Sequence, residues 1–159
     1  MGKSSQYTHK MQRIDAPGEN NNVIDIEEYF DGLRYLKMEG IDDIGKPKNI
    51  YTEEYADSDR KRVYFPPEED YTNESTVITL TVLVLGDRIR RSSTLDEFIE
   101  YIRHGVHRYW DNARNKEFDF VVTDEIKVSE EKWHGSYPYI EVKIPLQNLN
   151  GKTRNHQDN

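Results

Sequence analysis

The longest regular hydrophobic pattern in the chain runs from Thr76 to Leu85, where aliphatic residues and threonines fill every position. Ile78 and every second residue after it share one face of a strand, and the other face carries Val77, Leu83 and threonines. A strand with two largely apolar faces is typical of a central position in a sheet. We therefore expect a layer on each face: a helix on one, and a second sheet or a neighbouring subunit on the other.

A helical pattern follows this strand. Thr94 is a good N-cap residue, and Glu97 three positions later completes a capping box. Apolar residues then recur at helical spacing on one face, and Gly105 suits the position after a helix end. These signals predict one α-helix over residues 94–104. For residues 106–110 a strand and a further helical turn both fit, with a slight preference for the strand.

Shorter alternating segments flank this unit. Residues 116–123 and 139–146 alternate apolar and polar side chains, which predicts two further strands. Residues 48–55 and 62–65 predict a hairpin that ends at two consecutive prolines. These segments add four strands to the central one.

Residues 23–40 predict short strands, although a helix over 26–38 fits the same periodicity. The predicted fold class is α+β: a mainly antiparallel β-sandwich or split barrel with one flanking α-helix. The length of 159 residues fits one domain. Because both ends of the chain are polar, we expect a flexible arm over 1–22, a single β-rich domain over 23–150 and a flexible tail over 151–159.

The charge and the residues that are missing narrow the function. The net charge of −8 argues against a general phosphate-binding surface. The chain has no cysteine, which excludes a disulfide scaffold, a cysteine nucleophile and a thiolate metal site. No apolar run approaches the roughly 18–20 residues of a membrane span, and the start lacks the apolar core of a signal peptide. We expect no membrane association.

The sequence contains no recognisable catalytic motif. The patterns of a nucleophile elbow, a P-loop and a dinucleotide-binding loop are all missing. Asp42 and Asp43 lack the spacing and the closing glutamate of an EF-hand, and His104 and His107 lack a third ligand. We therefore expect no enzyme activity, no cofactor and no metal.

Large aromatic side chains stand out instead. Eleven tyrosines and two tryptophans suit a protein–protein contact, although tyrosine also favours ordinary sheet packing. The densest basic cluster, Asp87 to Arg91, fits either a solvated loop or a contact with an acidic partner. The candidate subunit-interface residues are Tyr51, Tyr55, Arg88, Arg90, Arg91, Trp110, Trp133, Tyr137 and Tyr139.

Two runs of the sequence carry a family resemblance. The runs YLKMEGIDDIGKPKNIYTEEYADSD (35–59) and YIRHGVHRYWDNAR (101–114) resemble small structural proteins of tailed bacteriophages and prophages. The nearest class is the tail-tube, distal-tail and tail-completion group, and the similarity covers roughly residues 23–151. The resemblance implies a β-sandwich or split barrel that assembles into rings, and the group offers no catalytic residues to carry over.

The expected function is therefore a ring-forming virion structural protein of a phage tail or neck, made in the host cytoplasm. Its expected partners are copies of itself and other tail or neck proteins, with DNA at most passing through a lumen. The alternative is a monomeric module that binds a protein or glycan through Trp133, Tyr137 and Tyr139. A small metal-dependent hydrolase or nuclease is a third hypothesis.

Overall fold

The computed structural model of the chain describes residues 8–15, 22–46, 51–54, 61–64 and 73–155, with the backbone alone for 51–54 and 61–64. The elements, in chain order, are β1 (His9–Arg13), β2 (Ile24–Asp25), α1 (Ile26–Tyr29), β3 (Leu33–Glu39), β4 (Tyr51–Glu54), β5 (Lys61–Tyr64), β6 (Thr76–Leu85), α2 (Arg88–Arg103), β7 (His107–Asp111), β8 (Lys116–Val121), β9 (Lys127–Val128), β10 (Lys132–His134), β11 (Tyr137–Asn148) and β12 (Arg154–Asn155).

The strand pairs among the described residues are all antiparallel, and most of these strands belong to one sheet. Within the described residues this sheet has ten strands, seven of which follow the path β2-β1-β7-β8-β11-β6-β3. Strands β9 and β10 pair with β11, and β12 pairs with β8. The predicted hairpin near residues 48–65 is present as the separate pair β4–β5. The α+β class with mainly antiparallel strands is confirmed.

Strand β6 lies in the centre of the longest ladder. It pairs with β11 from Thr76–Asn148 to Leu85–Tyr139, and β3 covers its other edge. Strand β6 is therefore an interior strand with a neighbour on each edge, and it lies next to the β3 edge of the described sheet. The fully buried side chains that β6 and β11 contribute to the core are Ile78, Leu80, Val82, Val84, Val142, Ile144 and Leu146.

The opposite face of β6 differs from the prediction. Val77 is 51% exposed, whereas Thr81, between Lys37 on β3 and Lys143 on β11, is fully buried. The remaining side chains of this face, Thr79, Leu83 and Leu85, are half-buried. Long lysine side chains keep their ammonium groups in water, and threonine tolerates a strand face that is partly exposed to solvent. We call this partly exposed side of β6 its half-wet face. In the described part of the chain this face is partly solvated rather than covered by a second layer.

Helix α2 begins earlier than predicted. The Oδ1 atom of Asp87 accepts a hydrogen bond from the Arg90 backbone nitrogen at 3.0 Å, which makes Asp87 the N-cap. The predicted cap, Thr94, is buried within the helix, and its hydroxyl donates to the Asp31 carbonyl at 2.6 Å. The prediction of a helix starting at residue 94 was wrong because the polar first turns carry no apolar periodicity.

The core lies between the sheet and α2. Phe98 and Ile102 of the helix are fully buried, and the ring of Phe30 meets that of Phe98 edge-on at 5.2 Å. The segment 106–110, left open between strand and helix, forms strand β7, in which His107 and Tyr109 alternate inward. Alternation at period two places both side chains in the core.

Short strands also form in the segments predicted as a flexible arm and tail. Strand β1 lies within residues 1–22, pairs with β7 and buries Met11 completely. Strand β12 lies within residues 151–159 and pairs with β8. The described parts of both segments therefore belong to the main sheet.

The main sheet is strongly curved but not closed. Strands β2 and β3 are its edges within the described residues, yet the ring of His9 on β1 stacks on that of Tyr35 on β3. The carboxylate of Glu27 on α1 also accepts from the Tyr35 backbone nitrogen at 3.3 Å. Side chains and α1 thus connect the two ends of the sheet without a strand ladder.

Candidate interaction surface

A two-stranded extension of the sheet carries two strongly exposed aromatic residues, Trp133 and Tyr137. Its register pairs Lys132 with Tyr139, Trp133 with Pro138 and His134 with Tyr137, and Gly135 occupies the turn with φ of +62°. Pairing with β6 begins only at Tyr139, so the tip has no neighbouring strand on that side. We call residues 132–139 the aromatic ribbon.

The aromatic residues of the ribbon occupy both of its faces. Tyr137 and Tyr139 are two positions apart and share one face, whereas Trp133 and Pro138 lie on the other. Trp133 is 60% exposed and Tyr137 is 73% exposed. Trp133, Tyr137 and Tyr139 therefore do not converge on a single platform, because the strand register places Trp133 on the reverse side.

The start of α2 lies beside the ribbon. Arg91 is buried and bonded to Glu131, which precedes the ribbon directly. Arg90 donates through Nε to Asp31 at 3.0 Å, so both guanidinium groups have partners within the chain. Arg88 is exposed and takes part in no ion pair among the described residues. The structure thus brings the basic cluster and the aromatic ribbon to one end of the molecule.

One residue of this surface was missed by the sequence analysis. Ile89 lies between two arginines and is 79% exposed, the largest exposure among the large hydrophobic side chains described. An isoleucine between arginines is visible in the sequence and could have indicated this exposed residue. We define the ribbon end as Arg88, Ile89, Trp133, Tyr137 and Tyr139.

The other candidate interface residues lie elsewhere. Trp110 is half-buried on β7, where it pairs with Lys10 and Glu117. Tyr51 begins β4, but its side chain lies outside the described part of the structure, as does all of Tyr55. The ribbon end therefore contains four of the nine predicted residues, and Arg90 and Arg91 lie next to it on α2 with partners within the chain. Trp110 lies apart.

A groove of about 560 Å³ runs along a different flank of α2. Burial, together with the nearby Tyr29, raises the pKa of Tyr101 to about 12, so its hydroxyl stays neutral. Glu97 is exposed and forms no ion pair within the described residues. The residues lining this groove, which we call the Glu97 groove, are Arg13, Tyr29, Phe30, Glu97, Glu100, Tyr101 and His104.

The histidines serve packing and local contacts. His104 lies 3.2 Å from Glu100, and the Nε2 atom of His107 contacts the His104 carbonyl oxygen at 2.8 Å. His107 stacks on Phe120 in the core, and burial lowers its pKa. Among the described residues, no group of three or more histidines and carboxylates could hold a metal ion.

A polar cluster deep in the structure surrounds His9. Its Nδ1 atom lies 2.9 Å from the Tyr109 hydroxyl and 3.9 Å from Asp111. Burial lowers the pKa of His9, and the Asp111 carboxylate partly opposes this shift. Because His9, Tyr109 and Asp111 are all at most 1% exposed, the cluster is a core contact that is closed to substrate. The Nε2 atom of His9 has no hydrogen-bond partner within the described residues.

Comparison with known proteins identifies no family for this chain. No protein-family model matches the chain, and no curated protein matches it. Within the described residues, no helix is both long and apolar enough to cross a membrane. The resemblance of the two sequence runs to phage tail proteins therefore stays a hypothesis.

Proposed function

We propose that this chain is a virion structural protein that forms rings in the tail or neck of a phage. The observation that carries the proposal is the aromatic ribbon, whose Trp133 and Tyr137 are exposed on opposite faces. Exposed aromatic clusters of this kind favour contact with another protein, since tryptophan and tyrosine are the residues most enriched at interface hot spots.

The chemistry of the remaining surface supports a building block rather than a catalyst. Part of the charged residues that line the grooves already have partners within the chain, as in Arg13–Asp15 and His104–Glu100. Shifted pKa values fall on buried packing residues such as Tyr109 and His107 and on members of surface ion pairs such as Lys132 with Glu141. Neither arrangement offers a nucleophile beside a base.

The finer architecture belongs to the same proposal. The curved sheet, in which His9 on β1 reaches Tyr35 on β3, supports a split barrel with α2 against it. A β-sandwich would need a second layer on the half-wet face of β6.

The proposed partners are copies of this chain and other tail or neck proteins of the particle. The net charge of −8 would let DNA pass through a lumen without binding. Synthesis would take place in the bacterial host, and the protein would reside in the virion. A ring lumen found to be basic or apolar would contradict this role of the charge.

Mass measurement by light scattering across a concentration series, with negative-stain images of any large species, tests the proposal. We expect rings or stacked rings, and we expect Trp133→Ser/Tyr137→Ser to reduce them. Val77→Ser is the matched control, because Val77 is also exposed but lies at the far end of β6. Rings that persist in the ribbon variant would show that another surface makes the contact.

The alternative function is a monomeric module that binds a protein or glycan. The observation in its favour is that Tyr137 and Tyr139 share one face of the ribbon and form a two-ring platform. A chain that is monomeric at every concentration and whose tryptophan fluorescence changes with a peptide or glycan would favour this function.

A further inference from the structure

We propose that the ribbon end of one copy binds in the Glu97 groove of a second copy, in a head-to-tail contact. This inference rests on the proposed ring function and names the two surfaces through which copies meet. It follows from where the two surfaces lie around α2, from their aromatic side chains and from their unpaired charges.

The two surfaces lie on different flanks of α2. Arg91 contacts Glu131 beside the ribbon, whereas Glu97 and Tyr101 line the groove. Six residues separate Arg91 from Glu97, which places them about 120° apart around the helix axis and about 9 Å apart along it. The contact between Arg91 and Glu131, the residue before the ribbon, holds the ribbon on the Arg91 flank. The ribbon of the same copy therefore lies away from the Glu97 groove, which is open to another molecule.

The two surfaces match in size and in character. The groove of about 560 Å³ lies in the range of volumes that accept protruding side chains. Its exposed ring is Tyr29, and Tyr101 lies half-buried behind it. Aromatic pairs prefer offset or edge-on contacts, which the protruding Tyr137 and Trp133 of a second copy can make with these rings.

The unpaired charges of the two surfaces are opposite. Arg88 on the ribbon end and Glu97 in the groove are both exposed, and neither takes part in an ion pair within the described residues. Opposite charges across an interface fix its register and favour the correct partner, even where they add little affinity. We therefore place Arg88 of one copy against Glu97 of the next.

A contact between two different surfaces is heterologous. It repeats from copy to copy and produces a ring if the rotation closes, or a filament if it does not. In a ring every ribbon end would be bound to a groove. In a filament every ribbon end except that of one terminal copy would be bound. The inference thus explains why the ribbon and the groove are both open in a single copy.

Charge reversal tests the contact. Arg88→Glu alone and Glu97→Arg alone place like charges together, so each should raise the concentration at which oligomers form by several-fold. The double variant Arg88→Glu/Glu97→Arg restores opposite charges and should return this concentration to within about twofold of the wild-type value. Light scattering across a concentration series gives the comparison, and urea unfolding of each variant establishes that it folds normally.

Two control reversals separate this pair from net charge. Lys152→Glu and Glu125→Arg change the charge by the same amounts at exposed positions outside both surfaces, and they should leave assembly unchanged. A second test mixes Trp133→Ser/Tyr137→Ser, which weakens the ribbon contact, with Glu97→Arg, which weakens the groove contact. We expect this mixture to form dimers at concentrations at which neither variant alone associates, because one unaltered contact remains possible between the two variants.

The outcomes distinguish this inference from the ring proposal. Wild-type rings together with unaltered assembly of both single reversals would overturn the head-to-tail contact and leave the ring function in place. A wild-type chain that stays monomeric at every concentration would overturn both. Single reversals that weaken assembly without recovery in the double variant would also reject the pairing of Arg88 with Glu97.

Discussion

The ring of His9 stacks on the ring of Tyr35 with 3.7 Å between their centroids and 14° between their planes. His9 lies on β1 and Tyr35 on β3, which are separated by four strands along the path of the sheet. His9 also meets the Tyr109 hydroxyl at 2.9 Å. One histidine therefore contacts both the neighbouring strand and the far edge of the sheet.

Replacing His9 with alanine should destabilise the fold. The change removes a buried ring and leaves the Tyr109 hydroxyl without this partner, which should lower the free energy of unfolding by about 2–4 kcal/mol. Urea unfolding followed by circular dichroism measures the change. His134→Ala is the control, because His134 is exposed on the ribbon and should cost less than about 0.5 kcal/mol. Equal effects of the two substitutions would contradict the role of the stack.

Stability should fall in mildly acidic solution. Burial lowers the pKa of His9 and of His107 below the ordinary value of 6.5. As the pH falls below about 6.5, the unfolded chain binds protons at these histidines before the folded chain does. The free energy of unfolding should therefore be greatest above that pH and decrease from there towards the lowered folded-state pKa.

Urea midpoints between pH 8 and pH 5.5 measure this dependence. A variant with both His9→Gln and His107→Gln should show a flatter profile over the same interval, although its stability at pH 8 should be lower. A wild-type profile as flat as that of the variant would show that neither histidine has a lowered pKa in the folded protein.

Two glycines with the same backbone conformation should respond differently to substitution. Gly151 has φ of +65° and Gly135 has φ of +62°. A Cβ atom at Gly151 would overlap the Glu74 carbonyl oxygen, whereas one at Gly135 would meet nothing within 4 Å. Gly135→Ala should cost about 1–2 kcal/mol from the left-handed conformation alone.

Gly151→Ala should cost clearly more than this, because the overlap forces residues 73–74 away from the turn after β11. Thermal and urea unfolding of the two variants, measured side by side, gives the difference. If the two alanine variants were equally stable, the close approach of Glu74 to Gly151 would be refuted.

Strand β12 should depend on one arginine. Arg154 donates to Glu117 at 2.8 Å and to Asp119 at 3.1 Å, and Asp119 also accepts from Arg108 at 2.8 Å. Arg154→Ala should leave overall stability within about 1 kcal/mol, because partly exposed ion pairs contribute little. It should nevertheless speed amide hydrogen exchange at residues 154–155, with Lys152→Ala as the control. Unchanged exchange there would mean that the backbone ladder alone holds β12.

The sequence predicted the elements whose hydrophobic pattern is local. Strand β6 was recognised because four aliphatic residues alternate over its length, and β11 was recognised for the same reason. The half-wet face of β6 could not be predicted, because it depends on Lys37 and Lys143 from strands that are distant in the sequence. A threonine-rich face fits either environment.

The missed elements are held by polar contacts. Strand β1 buries His9 beside Met11, and a histidine in a polar segment gives no sign of burial. Strand β12 is fixed by the ion pairs of Arg154, and the start of α2 by the cap at Asp87. The partners of His9 and Arg154 lie on other strands, so no periodicity in the sequence reveals them. The Asp87 cap is instead a local contact with Arg90, and an aspartate before a helix start was its signal in the sequence.

The interaction surface was predicted in its residue types but not in its geometry. The aromatic residues of the ribbon were visible in the sequence, as was the basic cluster near Arg88. Their meeting at one end depends on the Arg91–Glu131 contact, and the separation of Trp133 from Tyr137 depends on strand register. Both are long-range properties of the fold.

His9, Asp111, Lys116 and Asn155 occupy one row across β1, β7, β8 and β12. Three strand spacings separate the outer two residues, a distance of about 14 Å. A linker of about six residues can span that distance. A circular permutant that joins these two strands and opens at Asp124, in an exposed loop, should therefore keep the same sheet, so protein fusions could be attached at that loop.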